Sequence, residues 1–369
     1  MEAYRKEVQR KCEEQISNLL TLLPSYCADF DLHRADTRQP RTRLANLQDI
    51  KVFFSYLKVK NPLCTKLAYK DIPLEYLEQM TILDFDDYKR WLKSYTYDDR
   101  YYENDLPTIK RKLSSLKAFY KYLYAYNFIN SDPCSVAELP VLKKKQRIKV
   151  MDSDDRAIFF QTIDRCYQNA VQNLEDERNA IKAAGKGLLR ADVLMLPYVI
   201  LRNRMIIQLF LCSGLRISEL VAIDVQDIKL DRGTINIIRK GGNIDKIYLS
   251  DDCVDALLEY IDDIRPQLEP VDTDALFISQ KHNRLSVRSI ENMMKVYCDL
   301  AFGTKHGYTP HKLRATFGTE FYRQTSDIKA TAAVLGHSNI QTTSDYYASD
   351  LEEFKMQAKY INLLPNQDK

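Results

Sequence analysis

Several features are scarce or missing in this 369-residue chain. None of its eight cysteines (Cys12, Cys27, Cys64, Cys134, Cys166, Cys212, Cys253 and Cys298) forms a CxxC pair, so zinc-ligand spacing is absent. They are dispersed, which fits free thiols in a reducing cytoplasm. Long hydrophobic runs are missing too. The longest, Val193 to Leu201, contains Pro197, ends at Arg202 and is too short to span a bilayer. The first residues, MEAYRKEVQRK, are too charged for a signal peptide. Net charge is only +3, so the overall balance says little about partners. There is one tryptophan, there are five histidines, and no internal repeat or low-complexity tract appears.

The remaining composition is that of a folded protein. Hydrophobic residues make up 45% and charged residues 28%, which sets the chain apart from disordered sequences. Its length suggests two to three domains and is ample for a core. Charge is unevenly placed. Residues 1–150 hold 27 Lys and Arg against 20 Asp and Glu; the remainder holds 27 against 31. A basic half suits a polyanion, although an ordinary solvated surface gives the same count.

Helical periodicity dominates that basic half. Residues 4–23 read as an amphipathic helix, followed by a polar stretch to Pro40. Leu44, Leu47, Ile50, Phe54 and Leu57 mark a second helix over 42–58, and a third is expected near 74–95. A fourth starts around Thr108. Leu113, Leu116, Tyr120 and Leu123 share one of its faces; Lys110, Arg111, Lys117 and Lys121 lie largely on another. This predicts a helical bundle over 1–138 with a basic side. Residues 139–150, LPVLKKKQRIKV, read as a linker. Lys143, Lys144, Lys145, Arg147 and Lys149 repel one another and keep it extended, and it can lie along a phosphate backbone.

A further domain is expected over 151–369. A long helix starts near Asp152 or Ser153 and reaches about 180; AAGKG breaks it, and the next helix ends near Cys212 at Ser213-Gly214. Thr234 to Arg239 and Lys246 to Leu249 are short β-type runs joined by a turn that contains Gly241 and Gly242. The fold class is therefore mainly α with a small antiparallel sheet, α+β.

Three phrases in this half carry chemistry: GLRISEL, TPHKLRATFGT and LGHSNIQTTSDYY. They supply Arg216, His311, Arg314, His337 and Tyr346, and the RKGG turn supplies Lys240. A phosphodiester gains charge on its non-bridging oxygens as it is attacked. Two guanidiniums, always protonated and with forked donors, can neutralise that charge. A phenol can serve as nucleophile without a metal. Either arginine alone would read as a surface ion pair.

The same residues, in this order and spacing, resemble the tyrosine recombinases, the phage-integrase and Xer family. The likeness is strong over 150–350 and weaker over the bundle before it. It implies a core-binding (SAM-like) helical domain, a catalytic domain and a C-shaped clamp around DNA. By resemblance Tyr346 is the nucleophile that forms a 3′-phosphotyrosyl link. Its neighbour Tyr347 is the alternative, disfavoured by the spacing from His337. Arg216 and Arg314 bind the phosphate, His311 does general acid/base work, Lys240 protonates the leaving 5′-oxygen, and His337 donates to the phosphate. Glu219 orients a neighbour or is a plain surface carboxylate. Ala315 departs from the family, where a second histidine often follows HxLR. The reaction needs no metal, no cofactor and no ATP.

The implied partners are double-stranded DNA with a specific recombination site and a homotetramer on two duplexes. Residues 350–364 read as an amphipathic helix that would be exchanged between protomers. An activating DNA translocase is a further partner, a membrane is not, and the cytoplasm is the expected place. Chromosome-dimer resolution of Xer type, integration of a mobile element and silent DNA binding on the same fold are the competing functions. The N-terminal segment, short for a separate arm-binding domain, favours the first.

Overall fold

The computed structural model describes residues 1–97, 99–141, 150–239, 241–271, 273–304 and 307–337. The chain divides into two units, residues 2–145 and, with Met1, residues 146–369.

The first unit contains α1 (Glu2–Leu20), α2 (Ser25–Arg34), α3 (Pro40–Lys60), α4 (Leu74–Glu78), α5 (Ile82–Trp91) and α6 (Leu106–Ala125). Between α5 and α6, β1 (Ser94–Tyr97) and β2 (Arg100–Glu103) pair as an antiparallel hairpin. Pro40 opens α3 where its missing N–H costs nothing. Asp105 caps α6 by accepting the Thr108 N–H at 2.9 Å. The inner face of α6 carries the expected stripe, Leu113, Leu116, Tyr120 and Leu123, together with Ile109, Phe119, Tyr122 and the polar Lys112 and Ser115. This interior is rich in aromatic rings. Phe53 meets Tyr88 edge-on at 5.1 Å, and Phe85 meets Tyr120 at 5.1 Å. Buried phenols find backbone acceptors: Tyr26 donates to the Ile72 carbonyl (2.9 Å) and Tyr120 to that of Leu77 (3.0 Å).

Two expectations are corrected here. The stretch read as polar before Pro40 contains α2, which buries Tyr26, Cys27 and Phe30. The single helix expected near 74–95 is two helices and the start of a strand. Thr81 and Asp84 form a reciprocal capping box that restarts the helix at Ile82. Beyond Trp91 the chain turns extended. Trp91 stacks on Tyr95 at 4.3 Å, and Tyr95 on its cross-strand partner Tyr102 at 5.3 Å.

The second unit begins with α7 (Ser153–Ala184), whose N-cap Asp152 accepts the Asp155 N–H at 2.8 Å. Gly185 ends it in the left-handed conformation, and α8 (Ala191–Ser213) follows. Residues 165–200 thus form the second half of α7, the turn and the first half of α8. Among the described residues, α8 is the one helix long and apolar enough to cross a membrane. Most of its apolar stretch is instead buried in the unit, together with Arg202, which donates to Asn203 and to the Ile278 carbonyl.

Then come α9 (Ile217–Ala222), β3 (Ile228–Lys229), β4 (Thr234–Ile238) and β5 (Ile244–Tyr248). The three strands form an antiparallel sheet in the order β3-β4-β5, with Thr234 opposite Tyr248 and Ile238 opposite Ile244. Among the described residues, the α-helices that follow are α10 (Asp251–Glu259), α11 (Val287–Phe302), α12 (Pro310–Thr325) and α13 (Ile328–Leu335). The observed class is the expected one, mainly helical with small antiparallel sheets.

Candidate active site

Local rules place each charged side chain. Gly214 ends α8 at φ 60°, and a Cβ there would overlap the Phe317 ring, so only glycine turns the chain so closely. Arg216 is then the N-cap of α9, and Glu219 sits one turn on, at its third position. On α12, Thr309 is the N-cap and Pro310 the first residue; His311 follows and Arg314 lies one turn later on the buried face. Gly336 ends α13 at φ 61° and hands the chain to His337, whose N–H donates to the Ala332 carbonyl at 2.9 Å.

These pieces converge on Glu219, which is only 4% exposed. Its carboxylate accepts the Arg216 backbone N–H at 2.8 Å and Arg216 Nη1 at 2.7 Å. Arg314 Nη1 stands 3.9 Å away. The guanidiniums also reach the carbonyls that helix ends leave unpaired. Arg216 Nη2 donates to Gly336 (2.8 Å); Arg314 donates to Gly214 (2.5 Å) and to Leu335. Cations are favoured at helix C-termini, so α8 and α13 steady both charges. Arg314 is buried, whereas the Arg216 side chain is 31% exposed. His337 is half-buried, and its pKa is pushed down to about 4. Burial is the main cause, followed by repulsion from Arg314, Arg216, His311 and Arg239. It is therefore neutral at pH 7. His311 stays exposed at the start of α12.

The structure thus brings together Arg216, Glu219, His311, Arg314 and His337. Glu219 is buried and bonded, not the plain surface carboxylate that the sequence left open. Ala315 packs in the core beside Arg314 in sequence. Lys240, Tyr346 and Tyr347 lie outside the described residues, as do Lys143, Lys144, Lys145 and Arg147. In the first unit, Lys121 is exposed and Lys110 half-buried. Arg111 pairs with Asp49 at 2.5 Å, and Lys117 donates to the Ser135 carbonyl at 2.9 Å.

Arg239 is the residue that sequence reasoning missed. It is 8% exposed, and its Nη1 donates to Glu219 Oε2 at 3.2 Å. Strand alternation could have found it. Ile235 and Ile237 are buried, so period two turns Arg239 inward, and a buried guanidinium needs a carboxylate.

Residues 198–353 match the phage integrase family. A tyrosine recombinase XerC of Caldanaerobacter subterraneus is 30% identical over 317 residues, 84% of this chain and 78% of that protein. A XerC of Vibrio cholerae is 26% identical over 313 residues, 83% of this chain and 89% of its own length. The fold recurs in XerH site-specific recombinase bound to palindromic difH substrate, with TM-score 0.59 at 19% identity, covering 87% of this chain and 80% of that one. It recurs in the Tn1549 transposon integrase in complex with circular intermediate DNA, with TM-score 0.60 at 19% identity, covering 90% and 98%. The chain belongs to the phage-integrase family of tyrosine recombinases, enzymes that cleave and rejoin DNA. Within that family it is a recombinase of the Xer type.

Proposed function

We propose that this recombinase resolves chromosome dimers at one chromosomal site, through a covalent intermediate on Tyr346. The Tyr346 oxygen forms a bond to phosphorus as the bond from phosphorus to the 5′-oxygen breaks. The phenol proton passes to His311, and Lys240 gives one to the leaving 5′-oxygen. A phenol with a pKa near 10 needs that help. Arg216 and Arg314 hold the non-bridging oxygens, and neutral His337 donates a hydrogen bond to them. The phosphotyrosine keeps the bond energy, so ATP has no role, and the guanidiniums take the place of divalent ions.

The observation that carries this reading is the guanidinium pair fixed by Glu219 and by two helix ends. Such donors aim charge at one point before substrate arrives, and each is worth about 3–4 kcal/mol to a developing anion. The Xer assignment rests on relatives that this chain matches over most of both lengths. On this reading 1–138 binds DNA, with Lys110, Arg111, Lys117 and Lys121 facing phosphate, and 139–150 lies along the backbone. The domain over 151–369 does the chemistry. Residues 350–364 dock on a neighbour within a tetramer on two duplexes, a DNA translocase activates the assembly, and the cytoplasm is where it works. Integration of a mobile element uses the same chemistry; the shared fold of the Tn1549 integrase favours it as the second reading.

The test is to incubate fragmented genomic DNA with wild type, Tyr346→Phe and Tyr347→Phe, stop with detergent and sequence the covalently held DNA. Adducts at one chromosomal site, lost in Tyr346→Phe alone, support dimer resolution. Adducts at the ends of a mobile element support the integrase. Adducts lost only in Tyr347→Phe move the nucleophile. No adduct from wild type, even with a lysate of the source cell added to supply the translocase, defeats the proposal.

A further inference from the structure

Arg239 follows β4 on the face that Ile235 and Ile237 bury. All three of its guanidinium nitrogens have protein acceptors. Nε donates to Asp245 on β5 (2.9 Å), Nη1 to Glu219 (3.2 Å), and Nη2 to the Val334 carbonyl in the last turn of α13 (2.9 Å). Its backbone is held as well. The N–H donates to the Asn243 carbonyl (2.8 Å), and its carbonyl accepts the Gly242 N–H (3.0 Å). Arg239 is thus tied through its backbone to Gly242 and Asn243, on the far side of Lys240 in the sequence. Gly336 stands against the same side chain: a Cβ there would lie 2.7 Å from Arg239 Nε.

Arg314 has both Nη atoms on neutral carbonyls, whereas two carboxylates, Glu219 and Asp245, take up the charge of Arg239 within the protein, so Arg239 is not the guanidinium arranged to meet a phosphate. It joins three things instead: the root of the β4–β5 hairpin, the carboxylate that holds Arg216, and the helix end ahead of His337. We propose that Arg239 is a positioning residue that fixes where the chain enters Lys240 relative to the Arg216–Arg314 pair. The inference rests on the reading of Lys240 as the proton donor. Successive Cα atoms stand about 3.8 Å apart, so a residue pinned by side chain and backbone limits where the next one starts. A lysine stem is long and carries much rotamer freedom, so the precision of its ammonium depends on its root.

The test uses the full chain and duplexes carrying the site that wild type cleaves. One duplex has oxygen at the scissile 5′ position and the other has bridging sulfur. A thiolate leaves without being protonated, so the sulfur duplex dispenses with the proton donor. Arg239→Gln is expected to cleave the oxygen duplex roughly 100-fold more slowly, the scale of a lost general acid. On the sulfur duplex it should come within a few-fold of wild type. Lys240→Ala should show the same pattern, and the double variant should be no slower than Lys240→Ala alone. Asp245→Asn, at a partly exposed position, loosens only the hairpin clamp and carries the test should Arg239→Gln fold poorly. Amide exchange over 240–246 should speed up in both variants without DNA.

An Arg239→Gln or Asp245→Asn protein equally slow on both duplexes overturns the inference, because the defect then lies in phosphate binding or in the fold. Unchanged exchange over 240–246 overturns it as well. A wild type that forms no adduct on either duplex fails the underlying reading instead.

Discussion

Asp49 in the first unit and Glu219 in the second are both buried beneath more than one cation, and they put those cations to different use. Asp49, on α3, accepts Arg111 Nη1 (2.5 Å), Ser115 Oγ (2.8 Å) and Lys112 Nζ (3.4 Å), all from α6. Burial draws the Lys112 pKa down and the nearby Asp49 charge opposes that, so the ammonium works as a rivet between two helices. Around Glu219 the guanidiniums do not stop at the carboxylate. They run on to the carbonyls of Gly214, Val334, Leu335 and Gly336, and Arg216 remains partly exposed. One cluster joins two helices; the other ties guanidiniums to helix ends and leaves Arg216 partly exposed, as its proposed role on phosphate requires. Burial and pairing alone do not separate the two. The arginine forks around Glu219 do, because they reach four backbone carbonyls as well as the carboxylate.

Substitutions should separate them further. Arg216→Ala is expected to slow covalent adduct formation by about 10²–10³-fold, the scale of a lost oxyanion donor. Its partial exposure keeps the stability cost small. Asp49→Ala should do the reverse. It strands Lys112 inside and should cost the first unit about 3 kcal/mol, while adduct formation per folded molecule at saturating DNA stays normal, the release of Arg111 changing DNA affinity alone. Trp91, the one tryptophan, lies in the first unit, so its fluorescence in urea follows that unit alone. A shifted Trp91 transition in Arg216→Ala, or an unshifted one in Asp49→Ala, would break the comparison.

The same contrast shows what the sequence reveals. Gly214, Arg216, His311, Arg314 and His337 sit at helix ends and first turns, where short phrases set the backbone, so the phrases suffice to find them. The α6 stripe and the Asp152 cap are local in the same way. Arg239 is not. Its partners Glu219 and Val334 lie 20 and 95 residues away, and in the sequence it looks like one half of a basic pair. Lys112 is hidden for the same reason: only Asp49, 63 residues earlier, explains a lysine on an inner face. The β1–β2 hairpin was obscured because helical periodicity runs up to Trp91 and the ring stack that ends it forms only after folding.

Gly336→Ala tests the packing around the second cluster at single-atom scale. Its left-handed φ of 61° costs an alanine about 1–2 kcal/mol. The new Cβ would also stand 2.7 Å from Arg239 Nε and 2.9 Å from Cζ, so the guanidinium must shift off Glu219 or Val334. We expect slower cleavage and an unmoved Trp91 transition. Wild-type cleavage from this variant would mean that the cluster tolerates displacement and is no more exacting than the Asp49 rivet.

The smallest effect expected is on pH. His337 has a folded pKa of about 4, below its ordinary value near 6.5, chiefly through burial and then through the arginines beside it. Between those values the unfolded chain takes up a proton that the folded chain refuses. Stability therefore rises with pH across the window: the contribution is fully present above about 6.5 and is lost as pH falls towards 4. The ring is partly exposed, which tempers the effect. Thermal unfolding of the second unit at pH 7, 6 and 5 should show a decline that His337→Gln flattens, while Asp49→Ala leaves that slope intact. An equal slope in His337→Gln would mean that neither burial nor the neighbouring arginines hold the proton off this ring, and that the pH dependence of the second unit arises elsewhere.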